Sequence, residues 1–271
     1  LQIVNAVRPI KPVTNGVTKP FIILCDDGNT YYTKFQQNPE GPRVLANEYV
    51  CAKIAHQLKL PLASPTLINV DKDFLNLYEQ IIADHIECER EIHPGVHFGT
   101  KRINKTFPIA NAKMLERALN VTIVPEIILF DQLIRNNDRD CNGGNLLFDQ
   151  SQMKIVVIDH SHVFEIGALW DAQQLDIRIG ADFQPFTQNG YIFRKLVPHV
   201  RGYNPFDNII GKMSGMTDRD LWHIIKTIPE EWLITDADKI ALHAYLCDRL
   251  HRIKDALPIL KPILPQWKGG G

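Results

Sequence analysis

Apolar and polar positions follow two different periods along the chain, and the change between them divides it. Residues 17–24 and 30–35 are β-rich runs separated by Asp26-Asp27-Gly28-Asn29, which predicts a hairpin. Leu45, Tyr49, Ala52, Ile54, Ala55 and Leu58 then fall at helical spacing, and Pro61 ends the helix they predict. Residues 65–70 predict one more strand.

Over residues 71–110 no period holds, because His93-Pro94-Gly95 and Phe107-Pro108 interrupt it, and the boundary between two parts is expected here. Residues 112–119 and 125–134 predict helices, the second with Pro125 in its first turn, where a missing N–H costs nothing. Residues 136–144 form a polar loop, followed by short strands at 146–148 and 154–158 that predict a second hairpin. After a loop-rich stretch to about residue 215, Thr217 and Thr235 are expected N-caps, with Asp220 and Asp238 three positions on. The fold class expected is α+β. A β-rich part with one helix spans 1–105, a mainly helical part spans 106–268, and 269–271 read as a tail.

Composition narrows the classes. In 271 residues, 45% apolar and 23% charged residues suit a globular protein with a sizeable core. Thirty Lys and Arg against thirty-one Asp and Glu give a net charge of -1, so the totals argue against nucleic acid as a direct partner. No apolar run is long enough to span a bilayer, and the first residues lack the ordered regions of a signal peptide, so no membrane partner is expected. The five cysteines are scattered, with no C-x-x-C pair, which favours a reducing cytoplasm.

Candidate chemistry gathers at the second hairpin. The run Asn136-Asn137-Asp138-Arg139 leads through Asn142 to Asn145, and Asp159 follows the apolar residues 155–158. A carboxylate there is costly to bury unless it is paired or bound to metal. Phosphoryl transfer from a nucleotide needs oxygen ligands for Mg2+, a carboxylate for the attacking hydroxyl and a cation on the phosphates. Asp138, Asn145 and Asp159 offer the oxygens. Lys34 lies in a strand-like run and Glu48 on the next helix, so the two can pair, and Gly16, Val17 and Thr18 precede them as a loop. The plainer alternatives stay open: a polar turn, a strand-end Asp capping a turn, and a solvated edge lysine. The ten histidines match no zinc spacing, and no G-x-S-x-G supports a hydrolase.

The order of loop glycine, strand Lys, helix Glu, N-x-D-R, G-N-L-L and I-D-H resembles the HipA-like kinase family, of the protein-kinase-like and phosphoinositide-kinase-like superfamily. The resemblance runs from about residue 8 to residue 164, with V-L-A-N-E-Y, G-V-H-F-G-T-K and R-N-N-D-R followed by G-N-L-L-F as its most specific pieces. It implies a two-lobed protein-kinase-like fold and an ATP- and Mg2+-dependent kinase acting on a hydroxyl acceptor, with protein Ser/Thr foremost. By similarity Asp138 is the catalytic carboxylate, Asn145 and Asp159 are the metal ligands, Lys34 is the phosphate lysine with Glu48 as its partner, and Gly16, Val17 and Thr18 lie over the phosphates. Residues 95–101 are implied to run against the adenine.

Two departures mark the chain. Asn142 and Asn145 stand four and seven positions after Asp138, where protein kinases have Asn at plus five, so either could be the ligand; Asn145 is preferred because it adjoins the strand. His160-Ser161 stands where protein kinases have Phe-Gly. A nucleotide-binding pseudokinase and a lipid or small-molecule kinase are the competing readings. Some relatives of this type pair with an antitoxin-like or regulatory protein, and the resemblance raises such a partner here.

Overall fold

The computed structural model describes residues 1–87, 91–139, 145–185 and 192–269. Its N-terminal part has five strands, β1 (Ile3–Pro12), β2 (Phe21–Cys25), β3 (Thr30–Lys34), β4 (Pro65–Val70) and β5 (Gly95–Lys101). Two helices lie between them, α1 (Arg43–Gln57) and α2 (Lys72–Ile86). The strands close into a barrel in the order β1-β2-β3-β5-β4, antiparallel except where β1 meets β4 in parallel. Val4, Phe21, Ile23, Tyr31, Ile68 and Val70 share a core with Phe74, Ile82 and Ile86 of α2.

The first expected hairpin forms, but its leading strand starts at Phe21 rather than at residue 17. Lys19 is left-handed with φ +43° and Pro20 has no N–H, so regular pairing begins only after them. The stretch without a readable period holds α2 and β5. Asp71 caps α2 by accepting the Phe74 N–H, and exposed Leu77 and Ile81 on its outer face blur the helical period.

Beyond the barrel come β6 (Thr106–Pro108), α3 (Ala112–Glu116), α4 (Val124–Leu133), β7 (Leu146–Asp149) and β8 (Lys154–Val157). The helices α5 (Ala172–Asp176), α6 (Phe193–Leu196), α7 (Asp207–Ser214), α8 (Asp218–Ile225), α9 (Asp236–His251) and α10 (Ala256–Leu260) follow. β6, β7 and β8 make a small antiparallel sheet. Both expected caps form: Thr217 with Asp220 and Thr235 with Asp238 are complete capping boxes on α8 and α9.

Although α1 follows β3 in sequence, its apolar residues join the C-terminal core. Val44, Leu45, Tyr49, Val50 and Ile54 are buried in one cluster with Phe130, Trp170, Trp232 and Leu246. Each such side chain contributes about 1.5–3 kcal/mol when fully buried. Polar bonds join the two parts as well. Trp232 Nε1 donates to Val96 O at 2.7 Å on β5, and Val157 N donates to Pro61 O at 2.7 Å beside the second hairpin.

Candidate active site

Lys34 ends β3 with only 7% of its surface exposed, so its ammonium requires partners. It has three. Nζ donates to Glu48 Oε1 from α1, to Asp159 Oδ1 at 2.9 Å and to Ser161 Oγ at 2.6 Å, which fills all the donors an ammonium carries. Ser161 in turn donates its hydroxyl to Asp159 Oδ1 at 2.6 Å, and Glu48 Oε2 accepts the His160 N–H at 3.0 Å. Burial pulls the Lys34 ammonium toward neutrality, but the Asp159 and Glu48 carboxylates outweigh it and hold the lysine above its ordinary pKa. For Asp159 burial works against the charge, while Lys34 and the Ser161 hydroxyl win and keep it well below the usual carboxylate range. Glu48 is pushed up, by burial first, against the pull of Lys34.

The second hairpin delivers the remaining groups by register. Leu146 faces Val157, and Ile158 N donates to Asn145 O at 3.0 Å, so Asn145 and Asp159 leave the same end of the hairpin. Both are left-handed, with φ +46° and +55°, a conformation that Asn and Asp tolerate better than other side chains. Asn145 Nδ2 donates to Asp138 Oδ2 at 2.9 Å, which joins the loop carboxylate to the hairpin. The Asp138 N–H is held by Asn136 Oδ1 at 3.0 Å, and Asn136 Nδ2 donates to Asp131 Oδ1 of α4 at 2.9 Å. Asn142 lies outside the described residues.

The sequence-predicted residues therefore fall into two contact groups, Lys34 with Glu48 and Asp159, and Asp138 with Asn145. No hydrogen bond or ion pair among the described residues joins Gly16, Val17 or Thr18 to either. Their position follows from register alone: Phe21 faces Thr33, so the loop before β2 leaves the barrel at the end where Lys34 stands. Within that loop Val17 is exposed and Thr18 is buried.

His160 and His162 lie beyond β8, which ends at Val157, and after the left-handed Asp159 they take up different surroundings. His160 is buried against Phe130, and burial, followed by Arg139, pushes its pKa down to about 3. His162 instead lines a groove of about 600 Å³ with Glu40, Asn137, Asp138, Glu165 and Leu169. Its Nε2 lies 2.7 Å from Glu40 Oε1 and its Nδ1 3.9 Å from Asp138 Oδ2.

Sequence reasoning missed Ser161, Asn47 and Asp131. A polar residue inside an apolar helical run was the available signal for the last two, since Asn47 and Asp131 both sit among buried apolar neighbours. Among the described residues no three His, Cys, Asp or Glu side chains form a metal cluster, and no helix is long and apolar enough to cross a membrane.

No curated protein matches the chain. The solved structure of a Helicobacter pylori proinflammatory kinase, CtkA, is similar with a TM-score of 0.57 at 13% identity, covering 94% of this chain and 96% of that one. The fold is thus shared with a kinase. A Golgi casein kinase gives a TM-score of 0.46 at 10% identity over 97% of this chain and 76% of its own. The same kinase with Mn/ADP bound gives 0.45 at 10% identity, over 96% and 73%. The family model for the HipA-like kinase matches residues 6–257. With nearly the whole length matched, the chain belongs to the HipA-like kinase family.

Proposed function

We propose that the chain is an ATP- and Mg2+-dependent kinase that transfers the γ-phosphoryl group to a hydroxyl, with Ser or Thr of a protein as the acceptor. The observation that carries this reading is the placement of Lys34 between Glu48 and Asp159, at 2.9 Å from the Asp159 carboxylate. A lysine so held serves as the cation for nucleotide phosphates. Of its acceptors, Asp159 has a side chain 36% exposed against 5% for Glu48, so Asp159 is the partner that a phosphate oxygen can replace.

The donor set suits Mg2+, a hard cation that takes oxygen ligands and completes its shell with water and phosphate. Asp159 and Asn145 would hold it, Asn145 through Oδ1, since Nδ2 is engaged with Asp138. Bound there, the metal would neutralise charge on the phosphates. Asp138 orients the acceptor hydroxyl and takes its proton, and the groove beside it has room for a side chain presented by a larger molecule. Gly16, Val17 and Thr18 cover the phosphates from the Lys34 end of the barrel. We place the lobe boundary near residue 105, between β5 and β6. Cys25, Cys51 and Cys247 are free and buried, which supports a reducing cytoplasm.

Thermal unfolding with ATP and Mg2+ tests the binding step: the native chain gains stability and Asp159→Asn does not. No gain in the native chain ends the kinase reading. ATP consumption by the native chain, lost in Asp138→Ala and Lys34→Ala, then separates an enzyme from a module that only binds nucleotide.

A further inference from the structure

The segment that begins at Asp159 is conformationally costly. Within nine residues Asp159, Phe164, Glu165 and Gly167 have φ of +55°, +56°, +75° and +63°, and only the last is glycine. Such a run persists only where its surroundings over-determine it. From one side the C-terminal end of α4 does this, as Phe164 N donates to Ile134 O at 2.8 Å and Glu165 N to Arg135 O at 3.2 Å.

The other side is held by α1. Asn47 is fully buried, and its Nδ2 donates to Ser161 O at 2.6 Å and to Gly167 O at 3.0 Å. Its Oδ1 accepts the Trp170 indole N–H at 2.7 Å. An indole N–H only donates and a carbonyl oxygen only accepts, so the partners fix which way this amide points. Asparagine is a poor helix former, and a buried amide is costly unless every polar atom is paired. Here the pairing is complete and spans both ends of the turn. Glu48, the next residue on α1, accepts the His160 N–H, so two consecutive helix residues clamp residues 160–167.

We propose that Asn47 is a positioning residue for Asp159: through Ser161 and Gly167 it locks the left-handed segment so that the carboxylate faces Lys34 before any ligand arrives. Trp170 completes the device by orienting the amide. The consequence for transfer rests on the kinase reading given above, whereas the hold on the segment does not. Tyr49, Arg43 and Lys53 keep α1 itself in place. Tyr49 packs edge-on against Trp232, Arg43 pairs with Asp238 at 3.0 Å, and Lys53 donates to Thr227 Oγ1 at 2.9 Å. The helix is therefore a fixed strut.

Two variants test this. Asn47→Asp is isosteric and replaces the donor with an oxygen facing two carbonyls, and Trp170→Phe keeps an aromatic ring, smaller than the indole, while removing the N–H. Amide hydrogen exchange of the ligand-free chain should show the His160, Phe164 and Gly167 amides exchanging roughly tenfold faster or more in Asn47→Asp, and less so in Trp170→Phe. Amides of β2 and β3 should stay protected. Unchanged protection in residues 160–167, or an equal loss across the barrel, overturns the proposal. In parallel, calorimetric titration with ATP should show that Asn47→Asp loses the gain in affinity that Mg2+ gives the native chain, while metal-free affinity is kept. Retention of the full Mg2+ gain also overturns it. A native chain that binds no ATP refutes the kinase reading, and the exchange experiment still decides the role of Asn47.

Discussion

Arg139 grips Asp131 through two hydrogen bonds, Nε to Oδ2 at 2.8 Å and Nη2 to Oδ1 at 2.9 Å, with both side chains buried. The same guanidinium donates from Nη1 to Asn145 O at 3.0 Å, so α4 braces the residue at the hairpin mouth. Removing one partner strands the other charge away from water. Arg139→Met is therefore expected to cost about 3–5 kcal/mol in urea unfolding. A change below about 1 kcal/mol would place the pair with weak surface bridges.

Glu48 tests a different balance. Glu48→Gln keeps an oxygen for the His160 N–H but removes the charge that confronts Lys34. Lys34 keeps the Asp159 carboxylate as a charged partner, so stability should fall by less than the roughly 3–5 kcal/mol expected where a buried charge is left wholly uncompensated. Phosphoryl transfer should fall about 10- to 100-fold, as when a group supporting a ligand is lost. Equal transfer by both proteins would remove Glu48 from the site.

The placement of the polar residues at the hairpin was legible because it depends on residue type at a strand end. Asp159 after an apolar strand and Asn145 before one declare themselves, and antiparallel register brings them to one edge. Lys34 and Glu48 were legible as a strand and helix pair. The braces were not. Asn47 acts on Ser161 and Gly167 at sequence separations of 114 and 120, and Asp131 reaches Arg139 by a turn of the chain after α4 rather than by helical spacing, so nothing in local periodicity encodes those partners. Helix α2 was hidden by its exposed Leu77 and Ile81, and the role of Gly99 within the quoted G-V-H-F-G-T-K lay in its neighbour on another strand.

That neighbour is Ile68. A Cβ built on Gly99 would lie 2.6 Å from Ile68 Cγ1 and 2.8 Å from its Cδ1, inside the filled barrel. Gly99→Val should thus overpack the barrel and cost about 1–3 kcal/mol in chemical denaturation. The double variant with Ile68→Ala should recover part of the loss. No recovery would locate the cost in the β5 backbone instead.

His97 gives the barrel a pH dependence. It is fully buried against Phe35, its Nδ1 accepts the Gln36 N–H at 3.1 Å, and burial pushes its pKa from 6.5 down to about 3. Between those values the unfolded chain binds a proton that the native chain refuses. The stabilisation is therefore complete above the unfolded value and is lost as pH falls, by up to about 1.4 kcal/mol per pH unit. His160 acts in the same direction. Replacing His97 by Gln should flatten the slope of unfolding free energy against pH by about one proton between about pH 4 and 6. An unchanged slope would mean that His97 titrates normally.

The groove beside Asp138 predicts a split between stability and transfer. Glu40 and His162 meet there at 2.7 Å, but their side chains are 26% and 33% exposed, so the pair is worth at most about 1 kcal/mol to folding. Its value lies in position. Glu40 belongs to the segment between β3 and α1, His162 follows the β7–β8 hairpin, and both line the groove with Asp138. If an acceptor enters that groove, Glu40→Ala should leave the unfolding midpoint nearly unchanged and lower kcat/KM for a Ser/Thr-containing protein acceptor at saturating ATP. ATP hydrolysis measured without acceptor should stay close to native, because Lys34, Asn145 and Asp159 are untouched. A parallel fall in hydrolysis and transfer would move Glu40 from acceptor recognition to the nucleotide side. Unchanged transfer would place the acceptor elsewhere, since Glu40 and His162 share the lining of this groove with Asp138.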